Sequence, residues 1–177
     1  MSVHSMFADD REVILSHRWD QGADYWTTFD RRLIKGAPFS MMECVQYLLE
    51  LGMSPDDPIL QASAGLILDT WRKDGSFQLV PHSTVYPCHT VHAAEVLSRM
   101  GYVSDPRLAQ TFEHLLRIQQ ADGGWKCNKY SYGHGPETEF SNPFPTLIAL
   151  DAFRLADEAN RIPSLDRAVD LQWPFMI

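Results

Sequence analysis

The feature that most restricts what this chain can fold into is an internal repeat. Gly52 recurs as Gly101, 49 residues on, and Pro58, Leu60, Asp74, Gly75 and Phe77 recur as Pro106, Leu108, Asp122, Gly123 and Trp125, each 48 residues on. The shared pattern covers residues 43–77 and 92–125, and a unit of this length suits two helices plus two connections. In the first copy Met42, Val45, Leu48, Leu49 and Leu51 recur mostly at three- and four-residue steps, as do Val91, Ala94, Val96, Leu97 and Met100 in the second. That spacing predicts an amphipathic helix which the glycine stops. The linkers Ser54-Pro55-Asp56-Asp57-Pro58 and Ser104-Asp105-Pro106 supply an N-cap and a first-turn proline for a second helix, predicted over 58–72 and 106–120.

Each second helix runs into an Asp-Gly turn that returns an aromatic, Phe77 or Trp125, onto the helix ends. Each unit is therefore an α-hairpin closed by an aromatic clasp, and the chain reads as all-α. A single repeat domain over 1–177 is expected: a degenerate unit at 11–40 whose tail lies at 18–26, units at 41–87 and 88–144, and an incomplete unit at 145–177. Trp26 falls at the clasp position of the degenerate unit. The last unit presents Leu147, Ile148, Leu150, Ala152 and Phe153 as its apolar face. Its second helix, expected from Ser164, meets Pro174, and the apolar stretch 173–177 is expected to want a partner surface.

A formal charge of -8 and a pI near 5.2 give the surface a negative field, which argues against nucleic acid or anionic lipid as partners. No apolar run reaches the roughly 20 residues of a spanning helix, so no transmembrane segment is expected. Residues 1–12 are polar and acidic, and a cytoplasmic location is expected. Cys44, Cys88 and Cys127 are an odd number of cysteines, which does not suggest a disulfide framework.

The run Phe112-Glu113-His114-Leu115-Leu116-Arg117-Ile118-Gln119-Gln120-Ala121-Asp122-Gly123-Gly124-Trp125 resembles the Gln-Trp repeat of squalene and hopene cyclases, found in looser form in protein prenyltransferase β subunits. The copy at 66–77 has Trp71 where a glutamine would stand and Phe77 for the tryptophan. The resemblance spans about residues 41–170. It implies a partial α/α toroid of the terpenoid cyclase and protein prenyltransferase kind, with an isoprenoid or other apolar small molecule as ligand. The implied activity is isoprenoid handling of a prenyltransferase-like or cyclase-like sort. Family toroids hold about twice as many hairpins, so a homodimer or a missing second half is expected to complete the ring.

Tyr86-Pro87-Cys88-His89-Thr90-Val91-His92 concentrates three potential metal ligands at the start of a helix, and Cys88 and His92 are four apart, on one face. Cys127 and His134 follow the next clasp. Zinc accepts thiolate and imidazole, which makes Cys88, His89, His92 and Cys127 the candidate metal set; packed thiols and hydrogen-bonded histidines are the alternative. The prenyltransferase resemblance implies zinc held by aspartate, cysteine and a histidine in a Tyr-His-Thr run. His89-Thr90 is similar to that run, with Cys88 in the tyrosine's place. The family's Asp-x-Cys pair is replaced by Glu139-Phe140-Ser141-Asn142-Pro143-Phe144, so Cys127 or Glu139 would have to substitute.

The polar segment 128–139 has the position of a lid or binding loop. Lys129, Tyr130, His134 and Glu139 are its candidate substrate contacts, Lys126 could join them at a diphosphate, and solvated loop residues are the alternative. The Asp-x-Asp-Asp acid of the hopene-type cyclases is absent, so cyclisation started by alkene protonation is not expected. Two functions stay open: an isoprenoid-handling enzyme with zinc, and a non-catalytic helical-repeat binding module or incomplete toroid fragment.

Overall fold

The computed structural model describes residues 6–35, 38–127 and 141–156. Among them the chain is all-helical, with six α-helices, one 3-10 turn, two isolated antiparallel bridges and no strand. No helix among the described residues is long and apolar enough to cross a membrane. The described residues through Thr70, with 78–83, form one compact unit, and 71–77 with those from Thr84 onward form a second.

The first unit holds α1 (Ala8–Ser16), α2 (Met41–Glu50) and α3 (Pro58–Leu68). Helix α2 buries Met41, Met42, Cys44, Val45 and Leu48, the three-and-four spacing expected of an amphipathic helix, and α3 buries Leu60, Ala64, Ile67 and Leu68. Gly52 stops α2 at φ 81°, a left-handed conformation that a Cβ would strain. Asp57 caps α3, its Oδ1 accepting from the Ile59 N–H at 2.9 Å, with Pro58 at the first helical position. The Arg11 guanidinium donates to the Leu51 carbonyl at 2.8 Å, so α1 satisfies a terminal carbonyl of α2. Nothing in the periodicity of residues 8–16 predicts α1.

The second unit holds α4 (Pro87–Arg99), a 3-10 turn (Tyr102–Ser104), α5 (Pro106–Arg117) and α6 (Pro143–Leu155). Every residue of α4 from Cys88 to Ser98 is buried, so the helix is covered on all faces. Its main packing partner is α6, and both helices bury alanines, Ala93 and Ala94 on one and Ala149 and Ala152 on the other. Asp105 caps α5 as Asp57 caps α3, its Oδ1 accepting from the Arg107 N–H at 2.8 Å. The Arg107 side chain also donates to that carboxyl, holding it below the usual carboxylate range. Phe112 and Trp125 both pack against Phe153, with ring centroids 4.8 and 5.9 Å away.

Two expectations are corrected. The second helices end at Leu68 and Arg117 rather than at 72 and 120, because the Arg72 and Gln120 N–H groups donate forward, to Ser76 and Gly124 carbonyls, and start the clasp turns. The buried face of α6 is Pro145, Thr146, Ala149, Ala152 and Phe153, while Leu147 is 43% exposed. The Thr146 hydroxyl must meet the Trp125 backbone, and that requirement sets the rotation of the helix.

Candidate functional site

Clasps place the site. After α5, Gly123 turns the chain at φ 98° and the Asp122 carboxylate accepts from the Gly124 and Ser141 N–H groups at 3.2 and 2.9 Å. Trp125 then buries completely. Its indole donates to the Leu115 carbonyl at 2.8 Å, and its backbone N–H donates at 2.9 Å to the hydroxyl of Thr146, the fourth residue of α6. The earlier clasp is built alike within the second unit. Gly75 turns at φ 90°, the Asp74 carboxylate accepts from the Ser76 hydroxyl and N–H, which keeps it below the usual range, and the Phe77 N–H donates at 3.1 Å to Thr90, the fourth residue of α4. A Cβ on Gly75 would stand 2.6 Å from the Gln110 carbonyl oxygen, so this turn lies directly on α5. In the first unit Trp26 repeats the indole bond, donating to the Ile14 carbonyl at 3.0 Å, twelve residues back instead of ten.

Two residues beyond Trp125 the backbone presents Cys127. The Asn142 side chain accepts from the Cys127 N–H at 2.7 Å while the Asn142 N–H donates to the Trp125 carbonyl at 2.8 Å, which ties this segment to the start of α6. Cys88 is the second residue of α4. The packing of α4 on α6 brings these two cysteines together from 39 residues apart, with their sulfurs 2.8 Å from each other and only 8% and 6% of the residues exposed. That separation is inside ordinary contact for two sulfur atoms. The third cysteine, Cys44, is fully buried elsewhere, and desolvation together with the Glu43 carboxylate pushes its thiol up to about 12.

His89 and His92 are both buried on α4. The His89 ring meets the edge of Tyr86 at 5.2 Å between centroids. Desolvation lowers His92 to about 4, so its imidazole is neutral at neutral pH, the form that ligates metals. The structure therefore joins Cys88 to Cys127 and keeps His89 and His92 on the same helix. No cluster of three His, Cys, Asp or Glu side chains that could hold a metal occurs among the described residues. Lys129, Tyr130, His134 and Glu139 lie outside the described residues.

Sequence reasoning missed Asn142, Thr90 and Thr146, which fix the cysteine segment and the clasps. It also missed a charged group in which Arg99 pairs with Glu95 of its own helix and with Asp151 of α6. A signal for them was present, since Pro87-Cys88-His89-Thr90 and Pro143-Phe144-Pro145-Thr146 align and carry Glu95 and Asp151 along in register. No protein-family model matches the chain, and no curated protein matches it.

Proposed function

We propose that the chain is an isoprenoid-handling protein of the prenyltransferase-like or cyclase-like kind, built as a partial α/α toroid, with a soft-metal centre at the start of α4. The observation that carries this reading is the Cys88–Cys127 sulfur pair at 2.8 Å, with His89 and His92 buried on the helix that carries Cys88. Sulfur and neutral imidazole are the donors zinc takes, so Cys88 and Cys127 would hold it, with His89 or His92 completing the set. Zinc bound there would supply a Lewis acid and an activated thiolate. Asn142 fixes Cys127 through its backbone and α4 carries Cys88, so the chain preorganises the two sulfurs, and a histidine of α4 would have to turn toward them to complete the set. The repeated clasps, each seated on the fourth residue of a proline-started helix, support the repeat architecture.

Metal content by mass spectrometry, on folded protein purified without chelator, tests this reading. About one zinc per chain, lost in Cys88→Ala and reduced in His89→Ala, is expected for a site built on the sulfur pair and an imidazole. A folded parent without metal overturns the centre. It would favour the second reading, a non-catalytic helical-repeat binding module. For that reading stands the exposure of Phe144 (65%) and Leu147 (43%) on α6.

A further inference from the structure

We propose that Cys88 and Cys127 form a reversible intramolecular disulfide on exposure to a hydroperoxide, making the start of α4 a redox modification site. This inference is independent of the zinc centre and concerns the metal-free protein. Its basis is placement. The two sulfurs, from elements 39 residues apart, lie 2.8 Å from one another, and a disulfide needs about 2.05 Å, so less than about 1 Å of travel separates the thiols from the bond. Neither partner can drift far, because Cys88 sits in a helix buried from Cys88 to Ser98 and Cys127 is held through its N–H by Asn142.

The order of reaction follows from the same geometry. Cys88, in the first turn of α4, is the more exposed of the two and so the first to meet a peroxide. With only 8% of Cys88 and 6% of Cys127 exposed, a small peroxide fits the approach better than a bulky disulfide does. The Cys88 sulfur attacks one peroxide oxygen, the O–O bond breaks, and Cys88 becomes a sulfenic acid as the other oxygen takes the Cys88 thiol proton and leaves as water. The Cys127 sulfur then attacks the Cys88 sulfur. The S–O bond breaks, and a second water carries away the Cys127 proton. Two thiols and one hydrogen peroxide give one disulfide and two waters, and a dithiol reductant reverses the bond by exchange. Cys44 serves as an internal control, since it is buried in a different unit with its thiol held protonated.

The test uses the full chain stripped of metal with a chelator, treated with hydrogen peroxide, then denatured, alkylated and weighed intact. Three alkylated cysteines before oxidation should fall to one afterwards, peptide mapping should recover a Cys88–Cys127 cross-link within one chain, and dithiothreitol should restore all three. In Cys127→Ser the same treatment should leave a sulfenic acid on Cys88 that dimedone traps. Three alkylatable thiols after peroxide, or a bond that joins two chains or uses Cys44, would overturn the proposal. The peptide map is made on unmutated protein, so it decides the matter even where the variant does not fold.

Discussion

Helices α4 and α6 start the same way and differ in what they carry. A proline opens each, a threonine stands fourth and receives the backbone N–H of a clasp aromatic, and an acid stands ninth, with Arg99 joining the two acids. Around that shared frame the remaining positions diverge. Where α4 has Cys88, His89 and His92, all buried, α6 has Phe144, Pro145 and Ile148. The frame therefore does not require sulfur or imidazole at those places, since α6 forms and docks without them. Residues that a repeat can dispense with in one copy and concentrates in another are candidates for chemistry rather than for folding. That difference, more than burial itself, is what points the proposed function to α4.

The largest effect should come from removing the clasps, which tests whether the frame is shared. Trp125→Ala and Phe77→Ala each remove a fully buried aromatic and should each cost about 3–5 kcal/mol in denaturant unfolding. A Phe77→Ala cost under about 1 kcal/mol would mean that the clasp before α4 is not equivalent to the one before α6. Next in size is a pH effect confined to α4. His92 is lowered to about 4 against an ordinary value near 6.5, so between those pH values the unfolded chain binds a proton that the native state refuses. Stability contributed by neutral His92 is present above about pH 6.5 and falls as pH drops toward 4, by on the order of 3 kcal/mol in total. Urea unfolding of metal-free protein at pH 7 and pH 4.5 should show this loss in the parent and lack it in His92→Gln. An equal loss in both proteins would place the titration elsewhere.

What could be read from the sequence was what depends on neighbours along the chain. Asp57 and Asp105 cap helices, Gly52 and Gly101 turn at positive φ, and Phe77 and Trp125 close their units because each motif is complete within a few residues. The rotation of α6 was not legible, since Leu147, Ile148 and Leu150 are as apolar as the alanines that bury. A contact between Thr146 and Trp125, 21 residues apart, decides between the two faces. Helix α1 was missed because it buries only Arg11 and Ile14 and has no apolar stripe to read. For the candidate site, the residue types at Cys88, His89, His92 and Cys127 were legible, but the closeness of the two sulfurs depends on how α4 meets α6 and on the Asn142 hold. Helix pairing of this kind leaves no periodic trace.

The smallest effect sharpens the comparison at its most similar point, the two threonines. Both are fully buried, but they are not bonded alike. Thr90 accepts from the Phe77 N–H, whereas Thr146 accepts from the Trp125 N–H and also donates to the Trp125 carbonyl at 3.3 Å. Valine has nearly the shape of threonine without the hydroxyl, so Thr90→Val strands one buried backbone donor and should cost about 1–3 kcal/mol. Thr146→Val removes the donor's partner together with the second bond. The Trp125 carbonyl still accepts from the Asn142 N–H, so that second loss should add only about 0.5–1.5 kcal/mol. In a chain of this length the difference is a Tm gap of roughly 1–6 °C, with Thr146→Val the lower, and Thr→Ser at either position should recover most of the loss. Equal Tm values for the two valine variants would show that the hydroxyl of Thr146 matters only as an acceptor, and that the two clasps dock on their helices by one and the same bond.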